Sequence, residues 1–150
     1  MRWFSGLIAI FGIFIIIVTV NLIVFGKMHQ FQKERAYSQV CKANMLSLYK
    51  YLAQYALDHD DKLPPTAGEF WYRDASRYIK SYAILICPKD KGTNKSSYLL
   101  VPQAAGKSLN SLTDKVILLE NSPRHNGIAH ALLSDGTVID VKGVLIKNYR

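Results

Sequence analysis

Between Trp3 and Gly26 the chain has no charged side chain, and Asn21 is the most polar residue there. A helix over that stretch reaches roughly 36 Å, enough to cross the ~30 Å hydrocarbon layer of a bilayer. In lipid only a helix satisfies its own backbone, so helix is expected here despite the many β-branched Ile and Val. The rival is a secretory signal peptide, whose apolar region runs about 7–15 residues to a small-x-small cleavage site. Here the apolar run continues well past Ala9 and Gly12, which points to a retained anchor.

Proline and glycine are scarce in the next stretch. No proline occurs from Lys27 to Asp61, and Gly26 is the last glycine before Gly68. Nothing breaks a helix there, and Cys41, Met45, Leu48, Tyr49, Leu52, Tyr55, Ala56 and His59 recur at three- and four-residue steps. They draw an apolar stripe opposed by Lys42, Asn44, Ser47, Lys50, Gln54 and Asp58. One long helix is expected, apolar all round in its first half and one-sided in its second. Asp58 to Asp61 should fray its end, and Pro64-Pro65 forbid continuation.

Cysteine is nearly absent: Cys41 and Cys87 are the only two, with no CxxC pair and no metal-ligand spacing. That excludes a disulfide-dense scaffold. In an oxidising compartment the pair would close a loop of about 45 residues, worth roughly 3–4 kcal/mol in the chain-entropy model. The alternative is two buried free thiols. Acidic residues are also few, 11 against 19 basic, for a net charge of +8. Such a balance favours anionic partners such as lipid headgroups, acidic polysaccharide or nucleic acid. The positive charges are scattered rather than clustered, however, which reads as a solubilising surface. Orientation is contested: Arg2 flanks one end of the span and Lys27, Lys33 and Arg35 the other. Counting positives alone puts residues 27–150 in the cytoplasm.

Residues 27–150 suffice for one small domain after an anchor at 1–26. Glu69 to Tyr82 places Trp71, Ala75, Tyr78, Ile79 and Tyr82 on one face, as a short amphipathic helix or irregular turn. Ala83 to Cys87 is a brief apolar run stopped by Pro88 and the turn Lys89-Asp90-Lys91-Gly92. Tyr98 to Val101 and Val116 to Leu119 read as strands, with a loop at Gly106 to Ser111. Ile128 to Leu133, Ser134-Asp135-Gly136 and Thr137 to Val141 read as a hairpin, with Asp-Gly suited to a type I′ turn. The expected class is α+β, a long N-terminal helix packed on a small antiparallel sheet.

Few residues suggest chemistry. His125 and Asp135 form a possible general-base pair, but no nucleophile motif accompanies them. The plainer reading has His125 and Asn126 bonding backbone groups and Asp135-Gly136 making the hairpin turn. Asp58, His59, Asp60 and Asp61 offer ligands to a hard cation such as calcium, without the glycine and distal glutamate of an EF-hand loop. Solvation of a helix end explains them as well. His29 and His130 have no partner pattern. Trp71, Tyr72, Tyr78 and Tyr82, interleaved with Arg73, Arg77 and Lys80, suit either stacking on bases or sugars or packing on a core.

Five motifs in order carry a family resemblance: Cys41-Lys42-Ala43-Asn44-Met45, then Tyr55-Ala56-Leu57-Asp58-His59-Asp60, then Leu63-Pro64-Pro65, then Cys87-Pro88, then His125 followed after nine residues by Asp135-Gly136. Together they resemble the type IV pilin-like proteins and type II secretion pseudopilins, nearest the prepilin-like group with a histidine, nine residues and Asp-Gly. The resemblance covers nearly the whole chain. It implies a pilin-like fold and a single-pass protein of the bacterial cytoplasmic (inner) membrane with its C-terminal domain extracytoplasmic. It therefore favours a Cys41–Cys87 disulfide over the free thiols. It also implies a structural, non-enzymatic role without a cofactor. Partners would be other pilin-like subunits or secretion-system membrane proteins, met through the N-terminal helix. Pilin precursors are cut after a glycine, with a glutamate five positions beyond the cut. Gly6-Leu7 would be that junction after a leader of residues 1–6, yet Phe11 stands at the glutamate's place. That departure fits a minor or capping subunit, or an uncut anchor, rather than a major filament subunit. The other expectation is a membrane-tethered module that binds anionic polymer or DNA.

Overall fold

The computed structural model describes residues 2–90 and 95–143, with side chains from residue 11 onward. Gly6 and Leu7 thus have a helical backbone and no described side chain, and Lys91 and Gly92 of the expected turn lie outside the described residues. By packing, the chain divides into two units, Met1–Arg35 and Ala36–Arg150.

A single helix, α1, runs Arg2–Leu57 and contributes to both units. Within the first unit its large apolar side chains are exposed: Phe11, Phe14, Leu22, Ile23 and Phe25 all face outward. Among the described residues it is the one helix long and apolar enough to cross a membrane. Within the second unit the stripe is buried as its spacing requires, with Cys41, Met45, Leu48, Leu52, Tyr55 and Ala56 covered. His59 departs from the stripe and is exposed, because α1 has already ended at Leu57 and Asp60 and Asp61 adopt positive φ.

The sheet is an antiparallel meander of β1 (Tyr98–Leu100), β2 (Val116–Glu120), β3 (Ile128–Leu133) and β4 (Val138–Lys142), in that spatial order. Every residue of β2 is buried, as befits an apolar central strand covered on both faces. Its register against β3 shifts between Val116 and Leu118, leaving Ile117 as an irregularity. Leu48, Leu52, Trp71, Leu118 and Leu132 share one core, so the second part of α1 packs on the sheet as expected for this α+β chain.

Two local details are decided by the structure. Of the two forms open to Glu69 to Tyr82 it takes the irregular turn, with a short 3-10 turn at Trp71–Arg73 and another at Tyr82–Leu85. Trp71, Ala75 and Ile79 still face the core, but Tyr82 is exposed. The hairpin loop is Ser134-Asp135-Gly136 as expected, but its turn is not type I′. Leu133 N–H donates to the Thr137 carbonyl at 2.8 Å and Gly136 N–H to the Leu133 carbonyl at 3.0 Å. Of Asp135 and Gly136, only the glycine has positive φ, +88°, which is a type I turn closed by a left-handed glycine. Besides Asp60 and Asp61, positive φ at two consecutive residues occurs at Asn126 and Gly127, between the mutually bonded His125 and Ile128.

Candidate functional site

Four separate segments bring ionisable side chains to one buried point. Cys41 comes from α1, Cys87 from the segment after the second 3-10 turn, Glu120 from the end of β2, and His125 from the β2–β3 loop. Their donor atoms all lie within 4.8 Å of one another. Cys41, Cys87 and Glu120 are fully buried and His125 is 4% exposed. The Cys41 thiol donates to Cys87 Sγ at 2.8 Å, and both cysteines are free. Cys87 Sγ lies 3.7 Å from His125 Nε2, which lies 3.2 Å from Glu120 Oε1.

The surroundings fix each group. Glu120 Oε2 accepts the His130 backbone N–H at 2.8 Å, which leaves Oε1 for the cluster. Cys87 N–H donates to Ser97 Oγ, Ser97 donates to Asp90, and Asp90 Oδ1 is gripped by Arg124, the neighbour of His125. The loops bearing Cys87 and His125 are thereby clamped to each other. His125 Nδ1 is buried and has no hydrogen-bond partner among the described residues, so Nε2 is the nitrogen turned to the cluster.

Burial in so small a space shifts every group. Burial pushes the Glu120 carboxyl up and the His125 imidazole down. The hydrogen bond to Cys87, with burial, pushes the Cys41 thiol far up. Accepting that bond lowers Cys87 to about 7, against burial, with help from a backbone N–H of Lys89 and the charge of Arg124.

A second constellation adjoins the first. The His130 ring stacks on His125 with centroids 4.9 Å apart. Its Nε2 is 2.9 Å from Ser38 Oγ and its Nδ1 is 2.8 Å from Asp140 Oδ1. These are the contacts of a Ser-His-Asp triad, but the setting opposes turnover. Ser38 sits inside α1, where the helical ladder engages the backbone N–H groups and leaves none for an oxyanion. His130 is 1% exposed, and Lys42 Nζ takes the same Asp140 oxygen at 2.8 Å. The trio is a polar strut between α1 and strands β3 and β4. His130 is thus better partnered than its sequence context suggests.

The other sequence candidates fall apart in space. His125 precedes β3 and Asp135 follows it, and both Asp135 oxygens bind Thr137, so the two form no general-base pair. Asp58 accepts the Tyr78 hydroxyl, while Asp61 accepts from Ser108 and the Asn110 N–H; their carboxylates serve separate loops rather than one ion. Trp71 is buried with Nε1 donating to the Tyr98 carbonyl, and Tyr78 packs edge-on against Tyr55, so neither ring is free for stacking. An open depression of ≈ 470 Å³, lined by Gly68, Glu69, Leu99, Asn121, Ser122 and Arg124, holds one hydroxyl and neither cysteine nor histidine. Sequence reading missed Glu120, though its signal was present: a lone carboxylate ending the apolar run Val116 to Leu119.

The fold therefore defines an α+β protein with an N-terminal helix long and apolar enough to cross a membrane, and with a cluster of four ionisable groups sealed in its core. No family model matches this chain, and no curated protein or solved structure matches it either.

Proposed function

We propose that this chain is a pseudopilin-like structural protein, a minor or accessory component of a type II secretion or type IV pilus-like assembly. It is held in the bacterial cytoplasmic membrane by α1, with its C-terminal domain outside the cytoplasm. Its work is mechanical and non-enzymatic. One observation carries the reading: a single uninterrupted helix is exposed and apolar through Phe11–Phe25 and then becomes the buried spine of a four-stranded meander from Cys41 to Ala56. A helix with those two halves offers lipid and neighbouring helices its first part and gives the sheet a base with its second.

Partner contact runs through Gly6, Ala9 and Gly12, small residues about one turn apart. A Cβ at Gly12 meets nothing within 4 Å, so this position is open to a neighbouring helix. The test is co-isolation of the tagged full chain with its assembly from solubilised membranes, alongside Gly12→Leu. Association that Gly12→Leu weakens supports the reading; a lone chain, or unaltered association, counts against it. Intact-mass measurement of the same sample reads processing, since loss of residues 1–6 marks the pilin pathway and a full-length mass marks an uncut anchor.

A further inference from the structure

We propose that Cys41, Cys87, Glu120 and His125 form a buried site for one borderline-soft divalent cation of the zinc type. Two sulfurs, an imidazole nitrogen and a carboxylate oxygen are the donor set such an ion selects. Tetrahedral coordination with Zn–S near 2.3 Å and Zn–N near 2.0–2.1 Å places neighbouring ligand atoms roughly 3.3–3.8 Å apart. Two of the separations already lie near that range, 3.7 Å for Cys87 Sγ to His125 Nε2 and 3.2 Å for Nε2 to Glu120 Oε1. The sulfurs, at 2.8 Å, must part by about 1 Å, which a small χ1 adjustment of a cysteine supplies.

Charge gives a second, independent reason. Two thiols and a carboxyl group are sealed from water at one point, and within the cluster only His125 can offer a positive charge. A divalent ion offsets two of the three negative charges that Cys41, Cys87 and Glu120 carry as ligands, taking the place of the two thiol protons, which leave to solvent. The outer partners are already set. The His130 N–H orients Glu120, and Ser97 Oγ holds the Cys87 backbone by accepting its N–H. The ion would join α1, the Cys87 segment, β2 and the β2–β3 loop at one point. This inference does not rest on the pseudopilin reading.

The test uses the full chain in detergent, purified with reductant, stripped by chelator and titrated first with Co²⁺ and then with Zn²⁺. The expected result is one Co²⁺ per chain, with a thiolate-to-cobalt charge-transfer band and the intense visible bands of tetrahedral cobalt, all erased by one equivalent of Zn²⁺. Cys87→Ser should lose the charge-transfer intensity and weaken Zn²⁺ binding more than tenfold. Glu120→Gln should keep that band and shift the visible ones. The wild-type spectrum needs no variant to fold. A reduced chain with both thiols countable and no tetrahedral cobalt spectrum overturns the proposal. So does protein whose thiols, trapped by alkylation at lysis, prove already joined as a Cys41–Cys87 disulfide.

Discussion

Gly136 sits where two independent constraints meet, and replacing it with alanine separates them. Its φ is +88°, a region in which an L-residue is strained by roughly 1–2 kcal/mol. An added Cβ would also lie 2.9 Å from Tyr49 Cε1, closer than real Cβ contacts come, and 3.1 Å from Cδ1. The Tyr49 ring cannot swing away freely, because it rises from α1 and its hydroxyl donates to the Ser134 carbonyl at 3.2 Å. Forcing it aside adds an overpacking cost of about 1–3 kcal/mol. Gly136→Ala should therefore destabilise the Ala36–Arg150 unit by about 2–5 kcal/mol. In a Tyr49→Ala background the steric part vanishes and only the ~1–2 kcal/mol of backbone strain remains. The two substitutions should thus couple by about 1–3 kcal/mol in a double-mutant cycle. Denaturant unfolding of the full chain in detergent, followed by near-UV circular dichroism, reads all four proteins. Equal cost of Gly136→Ala in both backgrounds would refute the contact between α1 and the hairpin, and with it the way the sheet is seated on the helix.

Two further outcomes follow from burial and hydrogen bonding. Leu52→Ala, on the covered face of α1, should cost about 2–5 kcal/mol, whereas Leu57→Ala, at a residue 78% exposed, should stay within about 0.5 kcal/mol; similar losses at both sites would mean that the stripe has been assigned to the wrong face. Asp61 is held below its usual 3.8 by hydrogen bonds from Ser108 and the Asn110 backbone. The unfolded chain therefore binds its proton first, so its contribution is present above pH 3.8 and is lost as pH falls through the lower folded value. Asp61→Asn should remove that part of the acid dependence, and an unchanged pH–stability profile between pH 5 and 2 would contradict it.

Much of the layout was readable because its signals are periodic. Cys41, Met45, Leu48, Leu52 and Tyr55 advance by three or four residues and all five are buried; any other helix phase would have exposed them. The hairpin and its loop Ser134-Asp135-Gly136 were readable, but the turn type was not, since of the Asp-Gly pair only Gly136 takes positive φ. The Glu69–Tyr82 stretch left helix and irregular turn both open for a physical reason. Its buried residues Trp71, Ala75 and Ile79 keep four-residue steps while bonds such as Arg73 N–H to Phe70 O and Tyr78 N–H to Ala75 O tighten the backbone into separate turns. The candidate site was the least legible part. Cys41, Cys87, Glu120 and His125 come from four segments with no motif spacing, and only the meander and the helix stripe together bring them to one point.

The links on α1 also divide by kind along its length. Ser38, Cys41, Lys42 and Asn44 reach His130, Cys87, Asp140 and Tyr98 respectively, all within two turns. Met45, Leu48, Leu52 and Tyr55 beyond them give apolar burial. The polar links add little energy: the Lys42–Asp140 pair, with side chains 29% and 51% exposed, is worth no more than about 1 kcal/mol. Each buried Leu or Met is worth about 1.5–3 kcal/mol, so stability comes chiefly from the stripe. Apolar contacts, however, tolerate rotation and sliding of a helix far better than a hydrogen bond does. The polar group is what selects one rotation of α1 against the sheet, and it lies in the first turns that the sheet unit covers.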